Sequence, residues 1–555
     1  MKMQNSRFKI GILIRAHSTA AGVADFVNQL RLAGVNDIQL FELRDSVSVS
    51  VRGIGLFRHL RSLRCLTKNL LLDGIVKIEL LLLSYKGKTK VPPDGATISS
   101  IYESRKLIHV YRKASDGGEY IGITDIKAIA DVGADILVQL DQPKPPAGLS
   151  EAGKCGVLEL IYSPDTHAPG PRPGFWASYY RKNKTEFQIR HYFPGMSTGK
   201  SILHGSFATR LLFSETHQTV LRQANAQLVS IMLQMLRKVR ALPSRKEQDF
   251  DFLPDYAPSL TILLFYIFKS SYRITCKFLR RAFNVKQKWS LALSTGPWTS
   301  TDNNGALRID PPKGKFWADP FLLEEENRHY CFVEEYDYKS KKGHISVLSI
   351  ANSKATLLGR CIEKSFHLSF PYMFRYDGHL YMCPEASASN EITLYRSEEF
   401  PLKWQTHSIA MKNVSAVDTM IFEFEGNWWM FTNIDNSGAH DYGSALHIFF
   451  SKTPIDGKWR AHAMNPIIVD SRGGRNGGLI IDGGRIFRGA QIQGYDQYGQ
   501  GLAINEITLL NESQYAETER KEFGPCRRNG IVGIHHISSI GDLTIMDQLT
   551  DRFQA

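Results

Sequence analysis

The spacing of apolar residues divides this chain into two parts that meet near residue 288. From residue 8 to about 240, short apolar runs such as "FKIGILI", "KIELLLLSY" and "ADILVQL" alternate with stretches of helical period such as "AAGVADFVNQLRLAG". Strands that alternate with helices are typical of βαβ units around a mostly parallel sheet. The pattern therefore predicts an α/β domain over residues 1–240, with each of these apolar runs as a strand.

Residues 241–287 differ from both flanks. Prolines mix with charges in "LPSRKEQDFDFLPDYA", which indicates a linker. The next segment, "SLTILLFYIFKSSYRITCKFLRRAFNVKQK", opens with an apolar run of roughly ten residues, whereas a membrane span needs about twenty. We expect an amphipathic basic helix that either packs between two domains or lies on an anionic membrane surface.

From residue 288 to 555 helical periodicity is absent, and short aromatic or β-branched runs alternate with Gly, Asn and Asp turns. A hairpin of two apolar strands recurs every roughly 50 to 60 residues, the spacing of propeller blades with about four strands each. Five such hairpins predict an all-β, five-bladed β-propeller over 288–555. The hairpins are "ADPFLLEEENRHYCFVEE", "SFPYMFRYDGHLYMCPEA", "AVDTMIFEFEGNWWMFTN", "RNGGLIIDGGRIFRGAQ" and "HHISSIGDLTIMDQ".

Each hairpin carries a polar residue at the same place in its second strand, four positions after the residue that opens that strand. In an antiparallel hairpin the end of the second strand lies beside the start of the first. We therefore expect these residues at one mouth of the propeller channel, next to those that open the first strands. The second-strand residues are Glu334, Glu385, Asn433, Gln491 and Asp547. The first-strand residues are Asp319, Ser369, Asp418, Arg475, Asn476, His535 and His536.

Carboxylates crowded at such a mouth alter one another's pKa values, and one of them is driven toward its protonated form. A protonated acid beside an ionised carboxylate is what paired acid and base catalysis on a glycosidic bond requires. The alternative is structural, because polar funnel residues also tie blades together. Aromatic side chains near the mouth, including Trp317, could stack on sugar faces, or they could be core.

Composition narrows the partners. A formal net charge of +13 and a pI near 9.2 favour an acidic partner. The chain lacks a recognition-helix pattern and zinc-ligand spacing, so we do not predict that it binds nucleic acid. The acid-lined mouth predicts a sugar or glycan as the partner, with a phosphorylated or nucleotide-linked donor and peripheral contact with anionic membrane as open alternatives.

Seven scattered cysteines without a C-x-x-C pair suit reduced thiols, and the first apolar run is too short for a signal-peptide core. Both observations predict a cytoplasmic location, and the basic helix leaves membrane association open as an alternative. "GMSTGKS" is one residue short of a phosphate-binding loop, and "SRGGRNGG" lacks the strand-to-helix context of a dinucleotide site. No cofactor and no metal are predicted.

The segment 288–548 resembles the N-terminal propeller domain of the glucosamine inositolphosphorylceramide transferase family. The resemblance rests on "FWADPFL", "SFPYMF", "YMCPEAS", "VDTMIF" and "GGRIFRGAQ" followed by "YGQGLAINEI". In plant members a separate glycosyltransferase domain follows this propeller. The resemblance implies a carbohydrate-active protein of glycan or glycolipid biosynthesis.

The architecture is also similar to five-bladed glycosidases and fructosyltransferases that use two Asp and one Glu on successive blades. The corresponding residues would be Asp319 as base or nucleophile, Glu385 as acid and Asp418 as the orienting carboxylate. This order departs from the Asp, Asp, Glu order of those enzymes. The residues expected to bind substrate are Glu334, Asn433, His462, Arg475, Gln491, His535, Asp547 and Trp317, with His462, Arg475 and Gln491 holding hydroxyls or a phosphate.

The N-terminal half looks like the Rossmann-like formyltransferase fold of methionyl-tRNA and sugar-amine formyltransferases. The resemblance rests on "GVLELIYSPDTHAPGPRPGFWASYYRKNKTEFQIRHYF", the "TGKSIL" strand and the closing helix. At the family's catalytic positions this chain has Glu159, Ile161 and Ser197, with Asp165 and His167 nearby. Because the imidazole and the Asp at those positions are replaced, a scaffolding or ligand-sensing role is expected.

Three functions follow from these patterns. In the first, the propeller funnel catalyses glycosyl transfer or glycosidic cleavage. In the second, the propeller binds a glycan or partner without catalysis, and the formyltransferase-like domain is a scaffold. In the third, the N-terminal half is an amino-sugar N-formyltransferase.

Overall fold

The computed structural model describes residues 8–15, 20–45, 70–84, 108–115, 118–140, 145, 148–162, 173–237, 258–282, 285–302 and 305–553. The chain forms two compact units. The first comprises 1–205, 209–273 and 436–439, and the second comprises 206–208, 274–435 and 440–555. Within the described ranges, no helix combines the length and apolarity that crossing a membrane requires.

The first unit is built on an eight-stranded mixed sheet in the order β4-β3-β2-β1-β5-β6-β7-β8. Neighbouring strands from β3 to β6 run parallel, and β4 and β7 are antiparallel to β3 and β6. Its parallel centre agrees with the predicted βαβ pattern. The strands are β1 (Lys9–Arg15), β2 (Asp37–Asp45), β3 (Ile108–Ser115), β4 (Gly118–Ile121), β5 (Ile136–Gln139), β6 (Val157–Ile161), β7 (Lys184–Tyr192) and β8 (Lys200–Ala208).

Six α-helices are described. They are α1 (Ala20–Leu32), α2 (70–84), α3 (Ile123–Ala130), α4 (Phe175–Tyr180), α5 (Phe213–Leu236) and α6 (Leu260–Ala282). The prediction of a strand at "KIELLLLSY" is wrong, since residues 77–84 lie in α2. Ile75, Glu79 and Leu83 are buried at intervals of four residues. A continuous apolar run hides this spacing, so it cannot separate a buried strand from a helix.

The formyltransferase-like fold of this unit stays a prediction. Glu159 lies in β6, is fully buried and accepts a hydrogen bond from the hydroxyl of Tyr192 at 2.9 Å. Ile161 ends β6, and Ser197 lies exposed between β7 and β8. Asp165 and His167 are outside the described residues.

The second unit is the predicted five-bladed β-propeller. Each blade is an antiparallel sheet of four or five strands, and the innermost strands of successive blades contact one another around a ring. Two strands precede the first complete blade: β9 (Val285–Thr295) and β10 (Leu307–Ile309). Blade one contains β11 (Lys315–Glu325), β12 (Arg328–Asp337), β13 (Lys342–Ala351) and β14 (Lys354–Ile362). Blade two contains β15 (Ser369–Tyr376), β16 (His379–Glu385), β17 (Glu391–Glu399) and β18 (Lys403–Lys412).

The remaining blades differ in how they are completed. Blade three contains β19 (Ala416–Phe424), β20 (Asn427–Ile434), β21 (Ala445–Ser451), β22 (Arg460–Ala461) and β23 (Ile468–Val469). Blade four contains β24 (Asn476–Asp482), β25 (Arg485–Gly494), β26 (Gln497–Leu510) and β27 (Tyr515–Phe523). Blade five contains β28 (Ile531–Gly533), β29 (Ile537–Ile540) and β30 (Leu543–Phe553), together with β9 and β10.

The ring is closed by β9 and β30, which pair antiparallel from Val285 opposite Phe553 to Thr295 opposite Leu543. Strands from both ends of the unit therefore complete one blade. Because every innermost strand has a neighbour on each side, the polar residues that open these strands face a common centre.

Candidate active site

A bulge interrupts the innermost strand of four blades at the same place. The pairing skips between Ala318 and Phe321 in β11, and it does so at the matching positions of β15, β19 and β24. The bulged residues Asp319, Phe370 and Asp418 have φ angles of +48°, +47° and +50°. Non-glycine residues rarely adopt this conformation, and bulges redirect side chains. Asp319 and Asp418 are thus strained residues at equivalent positions.

The strand register brings the predicted positions together. Ala318 pairs with Glu334, Ser369 pairs with Glu385, and Val417 pairs with Asn433. In blade five the amide of Asp547 donates to the carbonyl of His536. The expected neighbourhood of strand starts and strand ends is therefore present in the fold.

One side of the site consists of Asp319, His535 and Asp547, with the imidazole between the two carboxyl groups. His535 Nδ1 lies 2.6 Å from Asp547 Oδ2, and His535 Nε2 lies 3.4 Å from Asp319 Oδ1. Asp547 also accepts hydrogen bonds from the backbone amides of Asp319, at 3.1 Å, and of His535 and His536, at 3.0 Å each. All three of these side chains are buried. The imidazole therefore lies between two carboxyl groups.

The environment separates the pKa values of these groups. Burial raises the pKa of Asp319 to about 7, against the opposing effect of His535. Burial alone would raise the pKa of Asp547 and lower that of His535, but their mutual attraction reverses both directions. Asp547 and His535 therefore form an ion pair, while Asp319 changes its charge near neutral pH.

The other side of the site is an ion pair between Asp418 and Arg475. Arg475 Nε donates to Asp418 Oδ2 at 2.6 Å, and Arg475 Nη2 donates to Oδ1 at 3.3 Å. Gln491 Nε2 donates to the same Asp418 Oδ2 at 3.1 Å. Glu385 Oε2 lies 3.7 Å from Arg475 Nη2. The guanidinium therefore holds one carboxylate in two-point contact and lies near a second.

Glu334, which is buried, and Glu385, which is partly buried, are the acids that favour the neutral form. Burial raises the pKa of Glu385 well above its ordinary value, and the charge of Asp418 adds to the effect. Burial also raises the pKa of Glu334, with Asp319 and Glu385 contributing. Glu334 Oε1 lies 3.5 Å from Nε2 of His367, a partly exposed side chain. The cluster thus contains protonated acids beside ionised carboxylates.

Sequence reasoning missed two aromatic residues at this site. The Trp289 ring lies 4.1 Å from the His535 ring, and the Tyr498 ring lies 5.3 Å from it. The Arg475 guanidinium carbon is 4.9 Å from the centre of the Tyr498 ring, and Tyr498 is 41% exposed. Neither residue belongs to the two inner strands of a hairpin, so the hairpin pattern could not reveal them. Tyr498 does fall in the "YGQGLAINEI" segment that carried the family resemblance.

Three predicted substrate-binding residues have other roles. The amide of Asn433 donates to the carbonyls of Ala445 and Gly474 at 2.8 and 2.7 Å and accepts from the amide of Asn476 at 2.9 Å. Fully buried, Asn433 ties blade three to blade four. It has no remaining hydrogen-bonding atom directed to a substrate.

The other two lie away from the cluster. His462 follows β22, an outer strand of blade three, and its ring nitrogens contact the carbonyl of Asn511 at 2.8 Å and the amide of Met464 at 3.0 Å. Trp317 is buried in a core cluster, and its indole NH donates to Glu335 at 2.9 Å. His462 and Trp317 therefore have hydrogen-bond partners within the protein, and their contact with substrate stays a prediction.

Adjacent His535 and His536 face different surroundings. His536 packs against Phe321 and Phe370, with ring centres 4.4 and 5.2 Å away, and burial lowers its pKa to about 3. Ligand atoms of Asp319, His535 and Asp547 lie within 4.8 Å of one another, close enough to hold a metal ion. The distance of 2.6 Å between His535 Nδ1 and Asp547 Oδ2 is that of a charge-assisted hydrogen bond, so these two residues form an ion pair.

Comparisons with known proteins agree on the propeller half. Residues 306–527 match the family model described as "Glucosamine inositolphosphorylceramide transferase 1, N-terminal". A protein of that name from Arabidopsis thaliana is 32% identical over 209 residues, 37% of this chain and 27% of the relative. Its counterpart from Oryza sativa subsp. japonica is 30% identical over 249 residues, 42% of this chain and 33% of the relative. The matched segment spans a third or less of these relatives.

Solved structures similar to part of this chain include glycoside hydrolases. A family 117 glycoside hydrolase from Zobellia galactanivorans is 9% identical and covers 48% of this chain and 91% of its own, with a TM-score of 0.31. The catalytic domain of a family 62 α-L-arabinofuranosidase from Coprinopsis cinerea is 12% identical and covers 47% of this chain and 96% of its own, with a TM-score of 0.33. The sequence similarity to the N-terminal family model of glucosamine inositolphosphorylceramide transferase 1 extends over residues 306–527.

Proposed function

We propose that the propeller is a carbohydrate-active enzyme domain of glycan or glycolipid biosynthesis, which transfers or cleaves a glycosyl group at the buried acid cluster. One observation carries the proposal. Glu385, whose pKa is raised, lies beside the ion pair of Asp418 and Arg475, and Asp319 titrates near neutral pH in the same cluster. Two carboxyl groups with separated pKa values are what acid and base roles at a glycosidic bond require.

In this proposal Glu385 is the general acid. Its raised pKa keeps the proton that a departing glycosidic oxygen needs. Asp418 holds Arg475 in place by two-point contact, and Arg475 faces the Glu385 carboxyl. When Glu385 gives up its proton, the adjacent guanidinium stabilises the resulting carboxylate. Asp418 is then an orienting residue.

Asp319 is the base or nucleophile. With a pKa of about 7, it is available in the ionised form from neutral pH upward. The ion pair of His535 and Asp547 holds its carboxyl group in place through contacts with the side chain and the backbone amide. Glycosyl transfer and hydrolysis differ only in the acceptor, a sugar or lipid hydroxyl in one case and water in the other.

Substrate recognition is assigned to polar and aromatic groups of the same cluster. Tyr498 presents an exposed ring on which a sugar face can stack. Gln491 Oε1 is buried and has no hydrogen-bond partner among the described residues, so it can accept from a sugar hydroxyl. Arg475 provides the positive charge that a phosphorylated sugar or lipid headgroup would contact. The names of the matched relatives support this substrate class.

The test replaces the two reacting groups without changing their shape. Asp319→Asn and Glu385→Gln should each lower turnover by about a hundredfold or more on a panel of aryl glycosides and nucleotide sugars. The matched controls are Asp482→Asn and Glu423→Gln, since both carboxylates are exposed. Circular dichroism verifies that each variant folds. Full activity in both site variants would exclude the catalytic assignment.

A second candidate function is binding without catalysis. The hydrogen bonds that join neighbouring blades favour it. Asn433 and Asn476 are used entirely within the protein, as a purely structural funnel would require. If the propeller only binds glycans, Arg475→Gln should abolish binding on a glycan array, and no wild-type turnover should be found. Turnover by the wild type would exclude this alternative.

For the α/β unit we propose a formyltransferase-like scaffold. The support is the parallel centre of its sheet and the long helix α5 after β8. Glu159 is hydrogen-bonded to Tyr192 in the interior, which favours a scaffold over N-formyl transfer. Calorimetric titration of the full chain with a formyl-tetrahydrofolate analogue should give no heat of binding. A measurable stoichiometric heat would instead support N-formyl transfer.

A further inference from the structure

Helix α6 buries one face and exposes a broad apolar one. Leu263 and Tyr266 are buried in a cluster of the α/β unit. Leu264, Phe268 and Tyr272 are spaced four residues apart, so they form a single stripe along the helix. These three side chains are 59%, 69% and 61% exposed. A soluble helix normally presents charged or polar residues on that face, so the stripe marks an interaction surface.

The neighbouring helix has the same character. Helix α2 contributes Ile75 and Val76 to the cluster that buries Leu263 of α6. Leu81 and Ile78 of α2 are nevertheless 71% and 62% exposed. Single exposed apolar side chains need no explanation, but two helices that share a core and both expose large ones do.

The charges on α6 have one sign. The helix sequence "LTILLFYIFKSSYRITCKFLRRA" contains no acidic residue. Its basic residues start at Lys269 and continue to the helix end, and the chain as a whole has a net charge of +13. An apolar stripe combined with basic residues, and without acids, is the pattern of helices that lie on anionic bilayers.

We propose that α6 lies flat on an anionic lipid surface. The stripe of Leu264, Phe268 and Tyr272 would enter the boundary between headgroups and acyl chains, and Arg273 and Arg280 would contact lipid phosphates. Lys277 is already paired with Asp496. The opposite face is fixed to the unit, because the Tyr266 hydroxyl donates to the buried carboxyl of Glu79 at 2.5 Å. The helix is thus held in an orientation that presents the stripe outward. A polyanion such as nucleic acid would not account for the apolar stripe.

This proposal goes beyond the function proposed for the propeller, since it rests on a helix face and not on the acid cluster. The experiment is flotation of the full chain with vesicles of phosphatidylcholine alone and vesicles of which about a third is phosphatidylglycerol. The wild type should bind the anionic vesicles more tightly, and added salt should weaken that binding because it screens the charges.

Two variants separate the apolar from the electrostatic part. Phe265 lies beside the stripe and is 55% exposed. The double variant Phe265→Ser and Phe268→Ser removes two exposed rings and should weaken binding to anionic vesicles about a hundredfold. The double variant Arg273→Gln and Arg280→Gln should weaken it about tenfold and reduce its salt dependence. Leu32→Ser and Ile123→Ser are matched controls, since these side chains are 79% and 74% exposed elsewhere on the same unit.

The results of these experiments identify what binds the stripe on α6. Wild-type affinity of the phenylalanine double variant, or failure of the wild type to float with anionic vesicles, would overturn the proposal. A dimer that the same variant dissociates, seen by light scattering in the absence of vesicle binding, would assign the stripe to a second copy of the chain. Circular dichroism and thermal midpoints verify that the variants fold.

Discussion

At the scale of single residues, Asp319 is subject to two opposing influences. Its burial favours the neutral carboxyl group, and the charged His535 imidazole 3.4 Å away favours the ionised one. The positive φ angle places its side chain among other carboxyl groups, which adds repulsion. Its protonation is therefore set by the neighbours that the fold supplies.

His535 should tune the pH dependence of any activity found. If Asp319 is the base, the rate rises with pH as Asp319 ionises near pH 7 and falls again when Glu385 loses its proton. The variant His535→Gln removes the positive charge that lowers the pKa of Asp319. The rising limb of the kcat/KM profile should therefore move up by about one pH unit. An unmoved limb in an active variant would show that His535 does not act on Asp319.

Asp319 should also reduce stability at high pH. Its folded-state pKa of about 7 lies above the ordinary value of 3.8, so its stabilising contribution is complete below pH 3.8 and is lost as pH rises through 7. Asp319→Asn should consequently gain stability relative to wild type between pH 5 and pH 8, on the order of 2 kcal/mol. Thermal midpoints at both pH values measure the gain. The exposed control Asp482→Asn should show no such pH-dependent difference, and equal behaviour of the two variants would contradict the assignment.

Neighbouring residues in the sequence have opposite electrostatic roles here. Glu334 faces the acid cluster and has a raised pKa, whereas Glu335 accepts from Lys315, Trp317 and His344, which together hold its pKa at about 2 despite burial. Strand alternation predicts from sequence that the two point in opposite directions. The partners of each depend on chain segments outside the hairpin, which no local pattern contains.

At the scale of secondary structure, the hairpins were predictable because a period of two and recurrent turns are local properties. The bulges that redirect Asp319 and Asp418 were not predictable, since each bulge is a property of two paired strands. The sequence pattern predicted a strand where the structure has helix α2. The leucine run of α2 fits a strand as well as a helix until its packing partners are known.

Asn433 links adjacent blades and should act on stability. Asn433→Ala would leave the amide of Asn476 and the carbonyls of Ala445 and Gly474 without their partner in a buried setting. We expect a loss of about 3 kcal/mol in the free energy of unfolding. Denaturant unfolding measures the loss. The exposed Gln405→Ala is the control, and a change below about 0.5 kcal/mol in Asn433→Ala would contradict the structural role.

At the scale of the whole molecule, ring closure joins segments more than two hundred residues apart. Strand β9 pairs with β30 over the full length of both strands. Contacts of this kind give stability only once the intervening blades are formed, because a long loop must close first. The ring should therefore respond as one cooperative structure to the loss of either strand.

Removal of β30 tests this closure. A chain that ends at residue 541 leaves β9 and β29 without their shared neighbour and removes Asp547. It should lose the cooperative thermal transition of the propeller and become sensitive to limited proteolysis. A chain that ends at residue 553 keeps β30 and should behave as wild type. A sharp, wild-type transition in the shorter chain would exclude closure by β30 as a condition for folding.

The sequence by itself determined the alternation of strands and helices in the first half, the five hairpins of the second half and the positions of the acids at the strand ends of these hairpins. These features depend on residue spacing along one strand or one hairpin, where local geometry fixes the direction of each side chain. Only the tertiary structure decided that Asn433 joins blades, that His462 lies on an outer strand and that Tyr498 reaches Arg475. It also set the pKa of Asp319, because burial and charge depend on residues that are distant in sequence and adjacent only in the closed ring.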